Sequence, residues 1–137
     1  MPGVSSAFAA PAAAGIPVTH RHVSTSVTVV TGHAGDPQVP GVDWDAIGRL
    51  DGTLVVLMGM GARADIAGRL MAAGRSGATP VAVVHWGTTE RQQVVRTDLA
   101  HLASVDLPAP AAIVVGAVAG LGVTAVVAAV TGSEAEE

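Results

Sequence analysis

The sequence predicts an α/β fold, a sheet of about five strands covered on both sides by helices. Two observations carry this prediction. Three short runs, Thr53–Met58 (TLVVLM), Pro80–His85 (PVAVVH) and Ala111–Val115, are almost wholly apolar, the pattern of strands buried on both faces. Between the first two lies Gly61–Arg75, where Ala62, Ile66, Leu70 and Ala73 recur on one stripe at the spacing of a helix packed by one face.

The other elements follow from local chemistry. Ser5 and Ser6 precede an Ala-rich run, and a serine hydroxyl accepts from the free amides of a helix start. Pro11 would bend that helix, and Gly15 with Pro17 would end it. Ser26–Thr31 (SVTVVT) is β-branched and bounded by Gly32, so it reads as a strand. Residues Ala34–Val42 are rich in Gly and Pro and read as a loop. Asp43 then caps a short helix with Trp44 and Ile47 on one face. Asp51-Gly52 makes a turn, and Asp65 can pair with Arg69 one helical turn later. Gln92–Arg96 reads as a more polar strand, followed by a short helix around Leu99 to Ala103.

Composition narrows the function. The chain has 137 residues, the size of one domain. Its core must be aliphatic, because there are two Trp, one Phe and no Tyr. A net charge of -4 and the scarcity of aromatics argue against nucleic acid, which needs a basic stripe and stacking platforms. The absence of cysteine removes disulfides and thiolate metal sites and fits a cytoplasmic protein. His33 and His85 have no partners at metal-ligand spacing, so no metal site is expected. The N-terminus lacks the basic segment of a signal peptide. Leu107 to Ser133 contains no charge and passes the length screen for a membrane span. Pro108, Pro110 and several glycines favour instead a buried strand and a short apolar helix or strand near Val123 to Val130, before a solvated acidic tail.

Several blocks occur in a recognisable order: PGVSSA (Pro2–Ala7), AGIPVTHR (Ala14–Arg21), SVTVVTGH (Ser26–His33), VDW (Val42–Trp44), TLVVLMG (Thr53–Gly59), TPVAVVHWGTTERQQVVR (Thr79–Arg96) and PAAIVVGAV (Pro110–Val118). Together they resemble the C-terminal half of the uroporphyrinogen-III C-methyltransferases, of the tetrapyrrole methylase family. Thr-His-Arg followed by Thr-Gly-His favours that branch over later corrin-pathway enzymes. The resemblance covers residues 1–118 and leaves 119–137 as a divergent apolar, then acidic, tail.

The resemblance implies a mixed sheet in a two-subdomain enzyme that dimerises, with S-adenosyl-L-methionine as methyl donor in the cleft between subdomains. The substrate would be uroporphyrinogen III, methylated twice to precorrin-2 on the way to sirohaem or cobalamin. Carried over by position, Ser5 and Ser6 would contact the cofactor from a tight loop. Met58 would pack its thioether on a flat ligand, and Gly87 would let backbone approach adenine. Taken alone, these residues read as helix caps, core and turn. Arg21 would fork a substrate carboxylate, assisted by His20 and His22, with Arg91 and Arg96 as weaker candidates. No catalytic base can be named, and the chemistry rests on orientation.

The family's GxGPGD loop and the Gly/Asp-rich stretch after it have no counterpart here. The expectation is therefore a truncated enzyme, weak or inactive alone, that forms a homodimer or needs a separately encoded N-terminal half. The alternative is a non-catalytic docking or dimerisation module. Membrane tethering by the tail is the remaining reading.

Overall fold

The computed structural model describes residues 2–33 and 35–121. Five strands form one sheet: β1 (Val27–Thr31), β2 (Thr53–Leu57), β3 (Pro80–His85), β4 (Gln93–Asp98) and β5 (Ala111–Val115), in the order β1-β2-β5-β3-β4. The sheet is mixed, as expected. β1 and β2 are parallel, with Val27 opposite Thr53, while β5 runs antiparallel to both β2 and β3, and β4 antiparallel to β3. β1, β2 and β3 therefore end at the same rim.

Side chains alternate between the two faces, as a pleated strand requires. One face gathers Leu54, Val56, Val81, Val83, Ile113 and Val115. It is covered by α2 (Trp44–Gly48), α3 (Arg63–Ala72) and a 3-10 segment at Leu99–Ser104. The opposite face presents Ala82, Val84, Ala112 and Val114 to α1 (Ser6–Ala13) and to Ile16, Val118 and Ala119. Its alanines bury little area each, but they let the helix lie close to the sheet.

Local sequence explains the helix ends. Ser5 caps α1, its Oγ accepting from Ala7 N at 3.2 Å. Ser6 is the first helical residue rather than a second cap. α1 runs through Pro11 and stops at Gly15 (φ 75°), where Ile16 N donates to Pro11 O at 2.8 Å. α3 ends the same way. Gly74 has φ 113°, and Arg75 N donates to Leu70 O, the left-handed stop that satisfies the last carbonyls. The Asp65–Arg69 pair forms at 3.0 Å on the exposed face of α3.

Some boundaries differ from the sequence reading. Met58 has left the strand, because its φ of 54° turns the chain off the sheet. The segment after β4 is a 3-10 turn capped by Asp98, whose carboxylate accepts from His101 N. Met60–Ala62 is also 3-10, so α3 begins at Arg63. The expected element near Val123 to Val130 lies outside the described residues. Among those described, no helix is long and apolar enough to cross a membrane.

Candidate functional site

The rim where β1, β2 and β3 end carries most of the residues singled out above. Gly32 follows β1, its amide donating to Leu57 O of β2 at 2.7 Å. Met58 follows β2 and is 67% exposed. Trp86, Gly87 and Thr88 follow β3, with Trp86 at φ 49° and Thr88 at φ 71°. Three non-glycine residues with positive φ just past the ends of two strands that run in the same direction are unusual. Backbone held this way gathers where a ligand is handled.

Gly87 is forced by packing on α1. A Cβ there would lie 2.8 Å from Ala10 Cβ and 3.1 Å from Val84 Cγ1. The missing side chain admits the helix, a partner that sequence reasoning did not foresee. Ser5 stands five residues from Ala10, about 7.5 Å along the helix axis. β2 and β3 are separated only by β5, which sets their ends roughly 10 Å apart. Of the residues expected to contact the cofactor, Met58 and Gly87 thus share one rim of the sheet, and Ser5 and Ser6 begin the helix that packs on Gly87. Ser5 and Ser6 are exposed, and the Ser5 hydroxyl is engaged in capping.

Met58 also edges a groove of about 810 Å³ on the α3 side, bounded by Thr31, His33, Asp36, Trp44 and Asp65. His85 closes the rim from below. It is 7% exposed, and its Nδ1 donates to Pro110 O at 3.0 Å, which leaves Nε2 as the acceptor nitrogen. No group of three or more His, Asp or Glu able to hold a metal occurs among the described residues.

Arg21 and His20 lie elsewhere. They sit in a tight turn closed by His20 N to Ser24 O at 2.9 Å. That turn is pinned to the start of β2 by the Ser24 Oγ–Thr53 Oγ1 bond of 2.8 Å. Thr53 and Met58 are five residues apart along β2, about 16 Å. The turn therefore leaves the sheet at the edge opposite Met58 and Gly87. His20 Nδ1 donates to Arg21 O at 2.9 Å, and His22 takes φ 67°. Among the described residues nothing accepts from the Arg21 guanidinium. Arg96, a weaker candidate, is consumed structurally: it donates to the carbonyls of Ala119 (2.9 Å) and Leu121 (2.8 Å). Arg91 lies over the Trp86 ring, 5.8 Å from its centroid. Sequence reasoning missed Trp86, whose only signal was an aromatic at the exit of an otherwise aliphatic strand.

Residues 1–103 match the family of tetrapyrrole (corrin/porphyrin) methylases. The chain belongs to the tetrapyrrole methylase family. Among the chain's curated relatives is the S-adenosyl-L-methionine-dependent uroporphyrinogen III methyltransferase of Methanosarcina barkeri. It is 44% identical over 127 residues, which cover 88% of this chain and 49% of that protein. The siroheme synthase of Chromobacterium violaceum is 45% identical over 125 residues, 88% of this chain and 26% of that protein. The uroporphyrin-III C-methyltransferase of Thermus thermophilus, solved with S-adenosyl homocysteine, superposes with a TM-score of 0.75 at 32% identity, over 86% of this chain and 50% of that one. The chain thus spans about a quarter to a half of the length of these relatives.

Proposed function

We propose that this chain supplies one wall of a uroporphyrinogen-III C-methyltransferase, which methylates its substrate from S-adenosyl-L-methionine to give precorrin-2 for sirohaem or cobalamin. The observation that carries the reading is the shared rim. Met58 and Gly87 follow strands that run in the same direction, where open α/β sheets usually hold ligands, and α1, headed by Ser5, packs on Gly87 through Ala10.

The rim fits the cofactor in two respects. The Met58 thioether stands in solvent instead of the core, free to lie on a flat ligand. Its left-handed backbone is the kind of strain that a binding role retains. When bound, S-adenosyl-L-methionine supplies a methyl group already activated on sulfur. The residues here then position and exclude water: Met58 and Gly87 shape the floor, and Ser5 and Ser6 border it from α1. Arg21, with His20 holding its carbonyl, forks a carboxylate of the macrocycle from the far edge. That separation suits a substrate wide enough to reach both ends of the sheet.

The wall needs a partner. Val4, Phe8, Val29 and Met58 are all exposed, apolar side chains of the kind that a partner surface covers. A separately encoded N-terminal half or a second copy of the chain would cover it, in the cytoplasm, and the isolated chain is weak or inactive. The same surface favours the second reading, a docking or dimerisation module without catalysis. Calorimetric titration with S-adenosylhomocysteine, with and without a supplied N-terminal half, separates the two. Binding and precorrin-2 formation by the mixture support the enzyme. A stable complex that binds no S-adenosylhomocysteine sinks it.

A further inference from the structure

The turn after β3 is built to present an aromatic ring to solvent. Trp86 is 39% exposed although both it and Thr88 hold positive φ. The surroundings enforce this conformation. Trp86 N donates to Pro110 O at 3.3 Å, and the Thr89 hydroxyl donates to Trp86 O at 2.7 Å. Gln92 accepts from Thr88 N at 2.8 Å and donates to Ala13 O of α1 at 3.2 Å. The His85 ring meets the indole edge-on at 6.1 Å. A turn so heavily fastened, around a side chain the core does not use, is kept for what it displays.

It displays a guanidinium. Arg91 Cζ lies 5.8 Å from the indole centroid, and among the described residues no oxygen accepts from its side chain. The contact is of cation–π length, the Arg91 side chain is exposed, and a guanidinium open to solvent can hold a carboxylate at two points. Other arginines near the sheet are occupied. Arg63 donates to Met60 O at 2.8 Å, and Arg75 donates to Leu50 O and Gly52 O. An indole beside an unengaged guanidinium suits a ligand with an apolar ring plane and a carboxylate rim.

We propose that Arg91, laid on Trp86, grips a carboxylate of the tetrapyrrole at the end of the sheet opposite Arg21. This rests on the methyltransferase reading and adds a substrate contact to it. The test uses the 137-residue chain carrying Trp44→Phe, so that Trp86 is its sole indole, mixed with the supplied N-terminal half. Uroporphyrin III, the stable oxidised octacarboxylate, is titrated against its emission and followed by porphyrin absorbance. Adding Arg91→Met should weaken binding about tenfold, the loss of one charge-assisted contact. Arg91→Lys should fall between, because an ammonium keeps the charge and loses the fork. S-adenosylhomocysteine affinity and the thermal midpoint should not change, since the Arg91 side chain is exposed. Equal porphyrin affinity for Arg91→Met and its parent overturns this inference alone. Loss of S-adenosylhomocysteine binding with porphyrin binding intact assigns Arg91 to the cofactor and also overturns it. Failure of the parent mixture of chain and N-terminal half to bind porphyrin overturns both the inference and the reading beneath it.

Discussion

At the scale of single residues, the rim sets stability against function. Met58 holds φ 54° with its side chain in solvent, a backbone cost of about 1–2 kcal/mol for an L-residue. Met58→Gly removes that strain and loses some backbone entropy, roughly 0.5–1 kcal/mol. The thermal midpoint should therefore hold or rise slightly, while S-adenosylhomocysteine binding by the assembled enzyme weakens. A clear fall in the midpoint would mean that the side chain packs. Gly87→Ala should do the opposite. Its Cβ would meet Ala10 at 2.8 Å, and overpacking of this kind costs about 1–3 kcal/mol, measurable by urea unfolding. Ala10→Gly in the same chain should restore part of the loss. Sequence patterning could not reveal this contact, because positions 10 and 87 meet only through the tertiary fold. The motif match brought out Met58 and Gly87, but not that one is strained and the other covered by a helix. It also grouped Arg21 with them, whereas the Ser24–Thr53 bond ties the Arg21 turn to the opposite edge.

At the scale of elements, two polar fastenings hold the joints. The Arg75 guanidinium donates to Leu50 O (2.9 Å) and Gly52 O (2.7 Å), binding the end of α3 to the turn entering β2. Burial pulls its pKa down, and Asp51 opposes that shift. Arg75→Met should cost about 1.5–3 kcal/mol in urea unfolding, and Arg75→Lys should recover little, since an ammonium cannot fork two carbonyls. The second fastening caps the 3-10 turn after β4. The side-chain hydrogen bond from His101 holds the Asp98 carboxyl below its usual range. A depressed carboxylate stabilises the fold above its unfolded pKa, and the contribution is lost as pH falls through the folded one. The protection of the His101 amide, its exchange rate relative to the intrinsic rate at the same pH, should fall on acidification through that window, and Asp98→Asn should abolish the pH dependence of that protection. Most strands were legible, because β2, β3 and β5 are almost wholly apolar and β1 and β4 are rich in β-branched residues. The 3-10 form of Leu99–Ser104 was not, because one short apolar turn satisfies either helix type.

At the scale of the molecule, sheet order was the least legible feature. Three strands apolar on both faces carry no pattern that ranks one as more central, and the last of them proves to lie in the middle. The exposed apolar residues at the rim and on α1 predict that the chain alone binds a hydrophobic dye such as ANS. A supplied N-terminal half should suppress that signal as it restores S-adenosylhomocysteine binding. Dye binding undiminished by the partner would place the docking surface elsewhere.

β5 sits between β2 and β3. Until Val115 is synthesised, β1–β2 and β3–β4 are separate two-stranded ribbons, each too small to persist alone, with unpaired edges open to other nascent chains. Assembly must wait for β5, the last strand among the described residues, to act as a keystone, so a stop codon before residue 111 should yield insoluble fragments and not a smaller domain.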